Sequence, residues 1–164
     1  MSQSVENLKE AFAGESQANR RYLAFAQKAE QEGYAQIARL FRAAAAAETV
    51  HAHNHLKVLK GVKATAENLQ EAIAGETSEF REMYPRMIAA AQAEGNKEAE
   101  RTFNFANEVE KTHAALFQKA LKNMADKTMT EIFVCSICGH TVEGEPPDNC
   151  PVCKAVKKFF NRID

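Results

Sequence analysis

An internal repeat constrains this chain more than any other feature. Ser4-Val5-Glu6-Asn7-Leu8-Lys9-Glu10-Ala11-Phe12-Ala13-Gly14-Glu15 is matched by Thr65-Ala66-Glu67-Asn68-Leu69-Gln70-Glu71-Ala72-Ile73-Ala74-Gly75-Glu76 at an offset of 61 residues. Farther on, Glu48-Thr49-Val50-His51 falls on Glu110-Lys111-Thr112-His113 at an offset of 62. The pattern of one Glu followed by Glu-x-x-His thus occurs twice, and a supersecondary unit repeated in register is expected to stack on its copy.

Each copy reads as a pair of helices. Gly33, Gly61 and Gly95 cut residues 4–124, which contain a single Pro, into four stretches of about 30 residues. Ser4 and Thr65 are read as N-caps whose hydroxyls take up free N–H groups of the first turn. Gly61 and Gly95 suit helix ends. The expectation is a four-helix bundle.

Residues three apart on a helix lie about 60° from one another around its axis. Glu48 can therefore converge with His51, and Glu110 with His113, each pair holding one metal ion. Glu15 and Glu76 would add carboxylates that bridge or cap two ions, a pattern of di-metal helix bundles. A solvated helix face can carry Glu-x-x-His by chance, but it has no reason to repeat Gly-Glu and Glu-x-x-His in register. The repeat breaks at Glu79, which matches Ala18 of the first copy and offers one metal an additional carboxylate. His53 and His55 are read as surface residues. Tyr22 and Tyr84 are either packing aromatics or hydrogen-bond donors to a metal-bound carboxylate.

After Met124 the helical pattern ends, and from Glu131 the chain turns to Cys, Pro, Gly and the strand formers Ile132, Phe133 and Val134. The division is therefore placed between a helical domain over residues 1–126 and a small module over 131–164. All four cysteines lie in this module, as Cys135-x-x-Cys138 and Cys150-x-x-Cys153 with eleven residues between the two pairs. That spacing implies one tetrahedral four-thiolate metal site. Zinc and iron both accept such a set, and spacing does not choose between them. With little core beyond Phe133, Phe159 and Phe160, the module would draw much of its folding energy from the metal.

The remaining composition is that of an ordinary helical globule. Hydrophobic residues make up 45% and charged residues 26%, Trp is absent and the net charge is -1. Interspersed charge gives no electrostatic footprint for nucleic acid or an anionic membrane. No apolar run reaches the roughly 20 residues of a membrane helix, and the start lacks the regions of a signal peptide, so a cytoplasmic location is expected.

Ala13-Gly14-Glu15-Ser16-Gln17-Ala18 with Arg21-Tyr22, Ala74-Gly75-Glu76 with Glu79 and Glu82-Met83-Tyr84-Pro85, the Glu-x-x-His pairs and the cysteine tail together resemble the rubrerythrin family. The resemblance spans essentially the whole chain. It implies a mainly α fold, a ferritin-like four-helix bundle followed by a rubredoxin-like metal-bound β-rich domain. It also implies a di-iron centre held by Glu15, Glu48, His51, Glu76, Glu79, Glu110 and His113, with Tyr22 and Tyr84 nearby, and one iron on the four cysteines. One iron of such proteins is understood to be bound by the residue matching Glu79 when oxidised and by that matching His51 when reduced. The tail departs from typical rubredoxins, which carry an aromatic at His140 and usually Gly at Lys154.

The activity so implied is reduction of hydrogen peroxide to water. Electrons would come from NAD(P)H through a reductase or another rubredoxin and enter by the cysteine iron. A homodimer or higher oligomer is expected, since the family shows head-to-tail dimers. Two rival readings are a ferroxidase or iron-storage protein of ferritin type, against which the cysteine tail argues, and a tail that is a zinc-stabilised interaction module.

Overall fold

A computed structural model describes residues 2–164; Met1, the first residue of the expected helical domain, lies outside the described residues. The described chain is mostly helical. Its helices are α1 (Gln3–Gln31), α2 (Ala35–Val58), α3 (Thr65–Ser78), α4 (Tyr84–Ala93) and α5 (Lys97–Lys122). A π-turn, Glu79–Met83, joins α3 to α4, so four rods are formed from five helical segments. Three strands follow: β1 (Ile132–Cys135), β2 (Thr141–Glu143) and β3 (Phe160–Ile163). No helix among the described residues is long and apolar enough to cross a membrane. The chain divides into two compact units, Met1–Lys63 and Ala64–Asp164, the same division that the internal repeat makes.

Helix starts differ from the expected caps. Ser4 and Thr65 lie inside the first turns of their helices, and the extended residues that precede them are Ser2 and Ala64. At α3 the Glu67 carboxylate accepts the Ala64 N–H at 3.3 Å instead. The side-chain cap is at α5, where Asn96 accepts the Ala99 N–H at 3.1 Å. The ends follow glycine at Gly33 and Gly95, both at positive φ. At the end of α2 the left-handed residue is Lys60, with φ 55, while Gly61 serves close approach: a Cβ there would lie 2.3 Å from Leu56 Cδ1.

In the first unit α1 and α2 meet along alanines. Ala38, Ala45 and Ala52, seven residues apart and almost fully buried, recur on one face of α2 and oppose Ala18, Ala26 and Ala29 of α1. Side chains this small let the backbones approach closely. A buried polar tie crosses the seam, since the Asn19 amide donates to Ala45 O at 2.7 Å and to Thr49 Oγ1 at 2.8 Å, and an exposed one joins Arg42 to Glu30 at 3.2 Å.

In the second unit the strands form an antiparallel sheet of order β2-β1-β3, with Phe133 opposite Val142 and Arg162. Cys135, Cys150 and Phe160 are buried at its centre, flanked by Phe133, Val142, Val152 and Ala155. Phe159 was expected in this core but is 36% exposed, under the Lys158 ammonium. The reason is local. Phe159 closes the 3-10 turn Lys157–Phe159 and the extended strand begins only at Phe160, so the two adjacent side chains diverge and Phe160 is the one that is buried.

Candidate metal centres

The two Cys-x-x-Cys pairs sit on matching turns. Gly139 N–H donates to Cys135 O and Cys135 N–H to His140 O; in the second turn Lys154 N–H donates to Cys150 O and Cys150 N–H to Ala155 O. Gly139 and Lys154 occupy the same place, and both have positive φ, 84° and 65°. Lys154 therefore holds the left-handed conformation at a cost of about 1 kcal/mol that glycine avoids.

These turns bring four sulfurs together. Cys135 Sγ lies 3.7 Å from Cys153 Sγ, and Cys138 Sγ 3.6 Å from Cys150 Sγ. Metal–sulfur bonds of about 2.3 Å give a tetrahedron with edges of about 3.8 Å, so the donor set fits one four-coordinate ion. Backbone N–H groups already point at sulfur, His140's at Cys138 and those of Cys153 and Val152 at Cys150. Burial pushes the Cys138 and Cys153 thiols up, whereas at Cys150 the backbone donors outweigh burial and hold the thiol down. His140 is the half-buried neighbour of this site, its ring edge-on to Phe160 at 6.5 Å and its Nδ1 without a partner among the described residues.

The carboxylates and histidines form one cluster per unit. In the first, Glu15, Glu48 and His51 offer ligand atoms within 4.8 Å of one another, and in the second Glu76, Glu110 and His113 do the same. Metal bonds of about 2.1 Å place ligand atoms up to about 4.2 Å apart, so each cluster fits one ion after small adjustments. The repeat extends to the atoms: His51 Nδ1 is 2.8 Å from Glu48 Oε2, and His113 Nδ1 is 2.7 Å from Glu110 Oε2. Nδ1 is thus the metal-side nitrogen in both copies.

The second cluster is electrostatically tense. Burial first, then the charge of Glu110, pushes the Glu76 carboxyl above its ordinary value. Glu79 is raised by burial and by Glu76, which puts it beside the cluster without belonging to its inner three. Tyr84 is raised by burial and by Glu110, Glu79 and Glu76, so its hydroxyl faces these carboxylates and keeps its proton. Tyr22, its counterpart, lies among aromatics, 6.1 Å from Phe41 and 6.3 Å from Phe25. His53 and His55 do not join either cluster; His53 is exposed and lines a surface cleft, whereas His55, expected at the surface, is half-buried, and its carbonyl accepts the Leu59 N–H at the end of α2.

The π-turn explains the change of offset. Glu15 matches Glu76 at 61, whereas Tyr22 matches Tyr84 and Gly33 matches Gly95 at 62, so one residue is inserted between Glu76 and Tyr84. A π-turn is one residue wider than an α-turn, and here Tyr84 N–H bonds to Glu79 O, five residues back. Pro85 follows directly and has no N–H to give, so it sits where a regular helical bond is already forgone. The inserted residue belongs to the same turn as Glu79. One residue that sequence reading did not single out is Thr141, whose Oγ1 lies 2.9 Å from His113 Nε2. Being 28 residues away and in another module, it leaves no local signal.

Helical carboxylate and histidine clusters with a four-thiolate site define a class, the di-iron carboxylate proteins joined to a rubredoxin-like module. Comparison narrows the class. The sequence model described as Rubrerythrin matches residues 6–121, and that described as Rubrerythrin, rubredoxin-like domain, matches residues 133–161. Rubrerythrin-2 of Clostridium acetobutylicum is 39% identical, over 96% of this chain and 95% of its own length. Nigerythrin of Nitratidesulfovibrio vulgaris is 36% identical, over 96% of this chain and 85% of its own. A solved structure of nigerythrin in a partially reduced state aligns with a TM-score of 0.61 and 34% identity, over 99% of this chain and 88% of that one. The chain belongs to the rubrerythrin family. Its metal centres are accordingly a di-iron carboxylate site and a rubredoxin-like four-cysteine iron site, and it is an oxidoreductase by family.

Proposed function

We propose that this chain is a non-haem di-iron peroxidase that reduces hydrogen peroxide to water in defence against oxidative stress, taking up two electrons and two protons per peroxide. Glu15, Glu48, His51, Glu76, Glu79, Glu110 and His113 hold the two irons in a helical domain over residues 1–126. Cys135, Cys138, Cys150 and Cys153 hold the third in the module over residues 131–164. When bound, the paired irons supply the electrons and the Lewis acidity that cleavage of the O–O bond needs.

The observation that carries this reading is Glu79. It has no counterpart in the first copy of the repeat and stands at the π-turn beside Glu76. An extra carboxylate offered to one metal only suits the redox-linked exchange of Glu79 for His51 at one iron that the family resemblance implies. Burial and the charges of Glu110, Glu79 and Glu76 keep the proton on the Tyr84 hydroxyl, which would serve as a hydrogen-bond donor to the metal site. A cavity of about 450 Å³, walled by Leu69, Leu116, Phe117 and Ile132, reaches Glu76 and His113 and is wide enough for peroxide. The four cysteines hold an ion that exchanges one electron at a time, fed by a rubredoxin or an NAD(P)H-dependent reductase. The protein would act in the cytoplasm as a homodimer or larger homo-oligomer.

Stopped-flow mixing of the fully reduced protein with hydrogen peroxide tests the reading. Prompt oxidation of both iron chromophores is expected, and a protein that stays reduced would overturn it. Replacing Cys135 and Cys138 by Ser should abolish turnover with a reductase while sparing peroxide oxidation of a chemically reduced carboxylate site.

A further inference from the structure

The module lies along the helix that carries two of the metal ligands. Thr141 and Glu143 lie two apart in β2 and so face the same way, and Gly139 precedes them in the cysteine turn. They meet α5 in order: a Cβ on Gly139 would lie 3.9 Å from Val109 Cγ1, Thr141 Oγ1 lies 2.9 Å from His113 Nε2, and the Glu143 carboxylate pairs with the Lys119 ammonium. Strand and helix run together for three contacts, and the middle one is a metal ligand.

We propose that Thr141 is a positioning residue through which the cysteine module orients His113 for metal. The Thr141 hydroxyl has one proton, which it donates to Gly139 O at 3.2 Å within its own module. Toward His113 it therefore accepts, and Nε2 must carry the hydrogen. A neutral imidazole has only one N–H, so Nδ1 is left with its lone pair aimed at Glu110, 2.7 Å away, and Glu76, 3.9 Å away. The opposite arrangement, with the hydroxyl donating to Nε2, would put the hydrogen on Nδ1 and close the position that the metal needs. A hydrogen bond to the remote nitrogen is the usual means of fixing a ligating imidazole. Here it comes from the other module and not from the helices.

The same contact links the two centres without a gap. His140 N–H bonds to Cys138 sulfur, His140 is bonded to Thr141, and the Thr141 hydroxyl bonds to His113. Cysteine site and carboxylate cluster are thus joined by covalent and hydrogen bonds inside one chain. Loss of the hydroxyl should be felt at the carboxylate cluster and little at the cysteines, because its one bond to the first cysteine turn, to Gly139 O, is additional to the backbone bonds that close both turns, and those remain.

The proposal rests on the assignment of His113 as a metal ligand and not on peroxide as substrate, so its test is metal binding. Cobalt(II) titration of the metal-free full-length protein separates the sites, since thiolate-bound cobalt gives intense charge-transfer bands and the carboxylate site only weak ligand-field bands. Thr141→Val keeps the branched strand side chain and removes the hydroxyl; Thr141→Ser keeps the hydroxyl. Expected is a loss of about tenfold in affinity at the carboxylate site for T141V, wild-type affinity for T141S, and unchanged thiolate bands in both. In the zinc-loaded protein the His113 Nε2 proton should exchange slowly with water in wild type and T141S and faster in T141V. Equal affinity and exchange in wild type and T141V would overturn the proposal, as would a T141S variant as weak as T141V. Peroxide inactivity with the T141V effect intact would overturn the peroxidase reading alone.

Discussion

At the scale of single residues, the second cluster trades stability for metal. A Glu76 carboxyl held above its ordinary 4.5 binds more protons folded than unfolded. The metal-free protein therefore loses stability as pH rises through the window just above that value, the reverse of a salt-bridged carboxylate. Glu76→Gln mimics the protonated form, keeping a donor toward Glu110 without the charge. Scanning calorimetry of metal-free protein at pH 7 should show the variant melting about 2–4 °C higher, the effect of about 1 kcal/mol in a chain of this size. The two proteins should converge near pH 4.5 or below. Cobalt affinity at the carboxylate site should fall at least about tenfold. A variant that melts no higher would show that the cluster is not under strain.

At the scale of elements, the π-turn is the place where the two copies of the repeat part. It inserts one residue into a rod that is otherwise regular, and it does so between the matched pairs Glu15/Glu76 and Tyr22/Tyr84. Deleting Phe80 should restore the 61-residue offset and let α3 run into α4 as an α-helix. Circular dichroism should then show undiminished helix, while Glu79 no longer approaches Glu76 and iron is bound less tightly at the second cluster. Helix loss in that variant would mean that Pro85 needs the wider turn for folding itself, a second role for the same residue.

At the scale of the whole molecule, its parts depend on metal to different degrees. The helices have alanine seams and caps of their own, whereas the module is centred on Cys135, Cys150 and Phe160. Removing the four-cysteine metal should melt the module and leave the helices standing. Because Cys138 and Cys153 are pushed up, metal must displace protons that bind tightly, and affinity falls as pH falls. Competition with a chelator across the range from pH 8 to about pH 5 should release the thiolate metal progressively, with loss of sheet signals in the NMR spectrum and retention of helical ones. Coincident loss of both would show that the module and the helices fold as one cooperative body.

Much of this was legible in the sequence because the information is local. Glu48 with His51 and Glu110 with His113 are neighbours on any α-helix, and Cys-x-x-Cys closes a turn whatever surrounds it, so repetition and spacing alone identify two kinds of metal site. The change of offset from 61 to 62 likewise announces an inserted residue. What only tertiary structure decided depends on groups far apart in the chain. Ser4 and Thr65 look like caps, yet the backbone starts each helix earlier; Phe159 looks like core, yet it ends a 3-10 turn and is exposed while Phe160, which begins the strand, is buried. Thr141 reaches His113 only because a strand lies along α5, and no periodicity in the sequence records that contact. The sequence by itself determines which atoms can bind metal, since ligand spacing is a property of one helix or one turn. The tertiary structure determines how those atoms are held, since that requires partners brought from elsewhere.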